Sequence, residues 1–439
     1  MRKSKIESAL RGYVKENLSP TIDDIQFVAK IYKSFTDVLG YNNCLQIGSF
    51  PRYTAVRPLH DLDILYRLGQ WNEEYKKPQN ILNELAVQFR SSYKNPTQYR
   101  ITMRVQTHSI SFQYMDGENE VFSVDIVPAM KRGLNELRDD TFYVPEIIKF
   151  QSRTRRQKLY EDIKATGGSI QWIKTDPLGY ITVASNLNKE NSDFRKSVKF
   201  IKGWKNYCKE LNDGFKLKSF HLEQLITIQF QSNLQLTIFD ALFGVLSNLK
   251  ESIEKPHIAD RADASKFIDQ YVAELSEREV KIIHEGVDAI LKYFESFKGN
   301  VQLLIRSGYF KRKPNEKFLF DFGIPVLEDE EIEFKIDGFI KSRDGYREYK
   351  AKLSQTNGVV NTKNNIDFKV VKNNASHAVL KWKVKNDDNC KEPRGEISHE
   401  NEISKNESTA YLGKHYVECY AILNNTCIAK SRAEVLISN

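Results

Sequence analysis

QIGSFPRYTAVRPLHDLDILY, residues 46–66, sets the pair Gly48-Ser49 eleven residues ahead of Asp61-x-Asp63. On a β-strand residues i and i+2 share a face, so Asp61 and Asp63 project together while Leu62 and Ile64 turn toward a core. Two adjacent carboxylates repel one another unless a cation lies between them. A third acid follows in FSVDIVPA, where Phe122, Val124 and Ile126 bury one strand face and leave Asp125 on the other. An acid inside such an apolar run is costly without a partner. Three convergent carboxylates make a hard oxygen site suited to Mg²⁺, with Mn²⁺ as the alternative, bridging protein and substrate phosphates. One ion would activate a ribose hydroxyl and a second would stabilise departing pyrophosphate. Gly48 allows close backbone approach to a triphosphate, and Ser49 offers a hydroxyl and an N–H at a turn leading into a helix.

Around this segment the pattern alternates between short strands and helices. LDILY, YRITMRV, HSISFQY and VFSVDIVPA read as strands, with a helical stretch near residues 78–93 and a hairpin signal at Asp116-Gly117. Upstream, Ile6, Leu10, Tyr13, Val14 and Leu18 predict an amphipathic helix over residues 5–18. Ser19-Pro20 reads as the cap of a second helix, stabilised by Asp23 and Asp24 and ended at Gly40. Residues 190–300 are mainly helical in pattern, with Phe194, Val198, Ile201, Trp204 and Tyr207 along one face. In HAVLKWKVKN, Ala378, Leu380, Trp382 and Val384 point one way and Lys381, Lys383 and Lys385 the other, as in a half-buried strand. YLGKHYVECYAIL and CIAKSRAEVLI continue the β pattern, so the C-terminal region reads as a β-sandwich-like domain.

The fold class expected is α+β: a catalytic core over residues 1–180, a helical half completing a nucleotide cleft over 181–315, and a β-rich domain over 316–439. A chain of 439 residues is long enough for two or three such domains. No run of about 18 apolar residues occurs, and the basic start MRKSKIESALRGYVKENL leads into no hydrophobic signal region, so a cytoplasmic location without membrane partners is expected. Five cysteines without a CxxC pair point to reduced structural thiols. The net charge of +8 favours anionic partners. Its signs are evenly mixed, which makes nucleic acid an unfavoured main partner, and Arg153, Arg155, Arg156 and Lys158 read as a solvated helix face.

On Gly48, Ser49, Asp61, Asp63 and Asp125, the chain resembles the bacterial CD-NTase nucleotidyltransferases, relatives of cGAS and the oligoadenylate synthetases. Members carry a Lys two residues before a Trp and a Ser opening the next helix, both contacting the bound triphosphate; Lys202 in KFIKGWK and Ser219 in KSFHLEQL match them. Trp382, Asn386, Arg394, Gly395, Glu407, Thr409, Tyr411, His415 and Glu418 resemble the AGS-C sensor domain often attached to such enzymes. Physically, Trp382 suits core packing better than a ligand platform, and His415 reads as a partly exposed strand residue or a ligand contact. The resemblance implies catalytic and metal-holding roles for Asp61, Asp63 and Asp125, and nucleotide binding by Gly48, Ser49, Lys202 and Ser219. It further implies ATP and other nucleoside triphosphates as substrates, a cyclic di- or trinucleotide product in antiphage (CBASS) signalling, and a ligand for the C-terminal domain. The rival readings are a nucleotidyltransferase modifying an RNA end or a protein, and a catalytically silent nucleotide-binding sensor.

Overall fold

The helix α1, Arg2–Tyr13, stops short of the residue-18 limit expected from its apolar spacing, and Val14–Leu18 widen into a π turn. Pro20 explains the change, because the residue before a proline is driven out of the helical region. Ser19 is extended (φ −81°, ψ 140°). The cap of α2, Ile22–Leu39, is Thr21 rather than Ser19: its Oγ accepts the Asp24 N–H, and the Asp24 carboxylate accepts the Thr21 N–H at 2.7 Å. Gly40 ends the helix at φ +85°, where a side chain would be strained.

The computed structural model describes residues 2–72, 78–106, 108–146, 171–342, 350–398 and 401–439. The arginine-rich cluster at 153–158 lies outside them. Two compact units emerge, one of Leu10–Val245 with Lys250–Ile283, the other of Met1–Ala9 and Leu246–Leu249 with His284–Asn439.

In the first unit the strands are β1 Cys44–Ile47, β2 Asp61–Gln70, β3 Arg100–Val105, β4 Ile110–Asp116, β5 Asn119–Leu134, β6 Asp140–Glu146 and β7 Gln171–Thr175. They form one mixed sheet in the order β1-β2-β5-β4-β3, with β6 on β5 and β7 on β6. The β4–β5 hairpin turns where Asp116-Gly117 predicts it, with Gly117 at φ +59°. Only β2 and β5 pair in parallel within this sheet, and their register sets Asp63 opposite Asp125. One face is buried by α2 and α3, Pro78–Ser92: Val28, Ile31, Phe35, Leu82, Leu85 and Phe89 pack with Leu62, Ile64, Val124 and Ile126. Strand alternation then turns the acids of β2 and β5 to the opposite face.

The helices after the sheet are α4 Pro177–Glu190, α5 Asp193–Leu211, α6 Ser219–Ser232, α7 Ile238–Ser252, α8 Glu277–Glu295 and the short α9 Val301–Ile305. Phe194, Val198, Ile201 and Trp204 are buried along α5. A small hairpin, β8 Ala259–Asp260 and β9 Asp263–Phe267, interrupts the helical pattern between α7 and α8.

In the second unit, β10 Phe334–Ser342, β11 Ala351–Lys352, β12 Val359–Asn361, β13 Asn364–Asn373, β14 Val379–Lys385, β15 Ser404–Ser408, β16 Gly413–Leu423 and β17 Thr426–Ser438 form two four-stranded sheets, β11-β10-β13-β15 and β12-β17-β16-β14. Ile336, Ile340, Ile366 and Phe368 of one sheet share a core with Leu380, Trp382, Val384 and Val417 of the other. The sandwich is therefore as expected, but its lysine face is not solvated. Lys383 is 1% exposed, bonded to Glu316 at 3.0 Å and lying over the Phe318 ring at 4.2 Å. Lys385 is buried too, held by the Asn386 carbonyl and Asp388. Each buried ammonium thus meets an anion or an electron-rich ring, the condition under which burial is tolerated.

The remaining residues that resemble the sensor domain act as scaffolding. Arg394 binds Glu396 and Glu407, Thr409 ties down the backbone of Asn361 and Asn364, and Glu418 joins Arg432 to Tyr420. His415 is buried rather than partly exposed, its Nδ1 accepting the Asp387 N–H at 3.2 Å. All five cysteines are free thiols. Among the described residues no helix is long and apolar enough to cross a membrane. Trp382 fills the sandwich core and donates its Nε1–H to the Glu402 carbonyl at 2.7 Å. Trp382→Ala should cost ~3–5 kcal/mol by leaving a cavity and an unpaired acceptor, read as a lowered urea midpoint.

Candidate functional site

The turn after β1 begins at Gly48, whose φ of +77° and missing side chain are both required: a Cβ there would meet the Asp63 carboxylate oxygen at 1.9 Å. Residues 48–53 form turns and do not open a helix, contrary to the sequence expectation for Gly48-Ser49. A single turn closes by Tyr53 N–H donating to the Phe50 carbonyl and Thr54 N–H to that of Ser49, and Tyr53 at φ +59° then stops its continuation.

This turn forms one wall of a cavity of about 900 Å³ lying wholly within the first unit. Its lining brings together Gly48, Ser49, Asp61, Asp63, Lys202 and Ser219, six of the seven residues singled out from the sequence. Asp125 lies one strand away, in register with Asp63 and therefore about 4.8 Å from it along the sheet. His60 also lines the cavity, exposed at the start of β2. The volume suits a nucleotide-sized ligand.

Electrostatics ties the acids together. Asp63 is raised from its usual 3.8 to about 7, first by burial, then by Asp61 and Asp125, against the pull of Arg52. Asp125 is raised by burial and by Asp61, with a hydrogen bond from Ser111 opposing. Among the described residues no group of three or more His, Cys, Asp or Glu side chains is arranged to hold a metal ion, so the acids are not a closed cage. The donor chemistry nevertheless fits a hard divalent cation: the Asp125 Oδ1 is buried with no hydrogen-bond partner, and at Asp63 burial and the neighbouring acids outweigh Arg52.

The opposite wall is α5 and the start of α6. Lys202 is 4% exposed, and its Nζ donates to Glu223 at 2.5 Å and to the Thr54 carbonyl and hydroxyl at 3.2 and 3.1 Å. The lysine read from sequence as a phosphate contact is thus already ion-paired. Arg52 binds the same carboxylate, Nε to Oε1 at 2.6 Å, and the Thr54 hydroxyl donates to it as well. Burial pushes the Glu223 carboxyl up, but Lys202 and Arg52 outweigh it and hold the group down at about 2. Burial also draws the Lys202 ammonium down while Glu223 supports it, and a carboxylate at 2.5 Å makes the ionised pair the favoured state. Ser219 opens α6 as its first residue.

Several lining residues escape motif matching. Lys205 and Lys209 fall three and seven positions after Lys202 on α5, so the three share a face. Lys205 is pulled down to about 8 by burial and by Lys209 and Lys202, with Asp61 opposing. The spacing KGWKNYCK carries this signal. Glu223 is legible by the logic that finds Asp125, an acid set in the apolar run LEQLITI. Tyr180 and Phe220, ring centroids 5.0 Å apart and edge to face, add an aromatic wall. Arg57 lines a separate hollow and pairs with Asp24 at 3.1 Å, while Tyr53 lies under Arg195.

Residues 314–438 match the family described as the Adenylyl/Guanylyl and SMODS C-terminal sensor domain, which spans most of the sandwich. A comparison with curated proteins gives no match. Similar solved structures include E. coli MS115-1 CdnC with ATP (15% identity, TM-score 0.48, 70% of this chain and 99% of that one). The same CdnC in complex with HORMA-deltaN is alike at 15% identity and TM-score 0.46, over 70% and 98% of the two chains. The Elizabethkingia meningoseptica CdnE cyclic dinucleotide synthase with GTP and Apcpp is similar at 12% identity and TM-score 0.38, over 58% and 85%. These likenesses are too distant to assign residues.

Two outcomes follow from the acid face. Because the folded pKa of Asp63 lies above its unfolded value, the Asp63 contribution to stability is least unfavourable below about pH 4 and worsens as pH rises toward 7. In EDTA, Asp63→Asn should therefore melt above the wild type at pH 8, and the gain should vanish near pH 4. Gly48→Ala should displace the Asp63 carboxylate and strain the turn, lowering stability by about 1–3 kcal/mol, read as a lowered urea midpoint.

Proposed function

We propose that the chain is a nucleotidyltransferase that joins nucleoside triphosphates, ATP among them, into a cyclic di- or trinucleotide. The observation that carries this reading is the parallel β2–β5 register, which sets Asp63 beside Asp125 and on one face with Asp61, at the edge of a cavity walled by a row of lysines. Residues 1–180 supply the acids in this reading, and 181–315 complete the nucleotide cavity.

Burial and the neighbouring charges of Lys209 and Lys202 weigh on the Lys205 ammonium, so a polyphosphate at this wall relieves both costs. Gly48 leaves room for the phosphates beside Asp63, and Ser49 and Ser219 offer hydroxyls to them. The Tyr180–Phe220 wall suits the flat face of a base. A hydroxyl of one nucleotide attacks the α-phosphorus of the next, the new O–P bond forms, and the bond to the β-phosphate bridge breaks. Pyrophosphate leaves with that electron pair. The hydroxyl proton passes to Asp125, whose buried Oδ1 has no competing hydrogen bond among the described residues. A divalent cation, Mg²⁺ or Mn²⁺, held by Asp61, Asp63 and Asp125 would supply charge neutralisation at the phosphates. The match of residues 314–438 to a sensor family supports a signalling product, a second messenger of the antiphage (CBASS) kind, with a ligand of the sandwich biasing synthesis.

Incubation of the purified chain with labelled ATP, GTP, CTP and UTP, singly and mixed, with Mg²⁺ or Mn²⁺, tests this directly. A phosphatase-resistant oligonucleotide is expected, falling at least about a thousandfold in Asp61→Asn Asp63→Asn. Label transferred only to added RNA or protein would replace the cyclic product with a macromolecular acceptor. Nucleotide binding without any transfer would leave a silent sensor.

A further inference from the structure

Glu223 lies within the stretch KSFHLEQL that supplies Ser219 but carries no role in the sequence reading, yet in the cavity it is densely bonded. It is 1% exposed, and three side chains from two segments converge on it: Lys202 at 2.5 Å from α5, with Arg52 at 2.6 Å and the Thr54 hydroxyl at 3.1 Å from the turn. Two further bonds draw the same turn toward the helices. Lys202 Nζ donates to the Thr54 carbonyl at 3.2 Å, and Arg195 Nε donates to that of Arg52 at 2.9 Å.

We infer that Glu223 is a positioning residue for nucleotide binding, fixing the Gly48–Thr54 turn against α5 and α6 while keeping Lys202 and Arg52 both charged at the cavity floor. The inference rests on the nucleotide-binding reading above and deepens it. The physical case is one of charge balance. One carboxylate faces two cations, so the buried cluster keeps a surplus of one positive charge beneath the cavity. Without the carboxylate, two buried cations repel, and the cheapest relief is loss of the Lys202 proton or withdrawal of Arg52. Either change removes the positive floor. Withdrawal of Arg52 also frees the turn that holds Gly48 against Asp63. Glu223 lies in the helix that Ser219 opens, so one rigid element carries both groups.

The test measures affinity for an ATP analogue with an α,β-methylene bridge by calorimetry, alongside steady-state kinetics with ATP. The proteins are the wild type, Glu223→Gln, Glu223→Asp, Lys202→Met and the double variant Glu223→Gln Lys202→Met. Glu223→Gln should weaken binding about 10- to 100-fold, with KM raised and kcat lowered less than about threefold. Glu223→Asp should recover part of the loss. In the Lys202→Met background the Gln substitution should cost several-fold less than in the wild type, because only the share carried by Arg52 and Thr54 remains. Should Glu223→Gln fail to fold, Thr54→Val carries the test, with an expected loss of about three- to tenfold. Wild-type affinity in Glu223→Gln, or in Thr54→Val where that variant stands in, overturns the inference, as does a Gln cost that multiplies in full with that of Lys202→Met. A wild-type chain that binds the analogue but releases no pyrophosphate from ATP overturns the enzymatic reading and leaves this one standing. One that binds no analogue overturns both.

Discussion

The parallel pairing of β2 with β5 is the constraint on which the first unit depends. Parallel neighbours cannot be joined by a tight turn, so the chain between them runs out through α3, β3 and β4 before β5 returns. That excursion supplies both the helix covering one face of the sheet and the strands that shield its edge. In-register pairing also decides which residues meet. A slip of β2 by one residue would turn Leu62 and Ile64 to the cavity face and send Asp61 and Asp63 into the aromatic core around Phe35 and Phe112. The hydrophobic face therefore enforces the position of the polar one.

Burial and charge oppose each other throughout the cavity, and the two walls resolve the conflict differently. On the helical wall the ions are paired: Glu223 answers Lys202 and Arg52 within 2.6 Å. On the strand wall burial and the mutual repulsion of Asp61, Asp63 and Asp125 outweigh the pull of Arg52, and Asp63 moves toward neutrality. The first arrangement is settled within the protein itself, whereas the second keeps a charge conflict that a bound cation would relieve.

Much of this was legible from residue order. Alternation in LDILY and FSVDIVPA places the acids, Gly40 and Gly117 mark a helix end and a hairpin, and the β pattern of HAVLKWKVKN locates the sandwich. The misreadings come from partners, near or far in sequence, that alternation and cap propensity do not weigh. Lys383 and Lys385 alternate with apolar residues as solvated lysines do, yet Glu316 and Asp388, distant or displaced in sequence, bury them. Residue order places Lys202 in the cavity but gives no sign of its ion pair with Glu223. Thr21 outcompetes Ser19 as the cap because its reciprocal bond with Asp24 satisfies two backbone groups at once.

The cavity divides its labour by depth. Its floor, made of the acids, the Gly48 turn and the Glu223 cluster, is locked by register and by buried ion pairs, so a change there disturbs several partners together. Its rim, where Lys209, Glu210, Asn206 and Asp260 stand on a helix face and a hairpin, carries side chains that can be exchanged with little effect on the sheet. Under the proposed reaction, descendants of such a chain can drift in which base or acceptor they favour while inheriting the same bond-forming step, so diversity of product and constancy of reaction are two outcomes of one layered architecture.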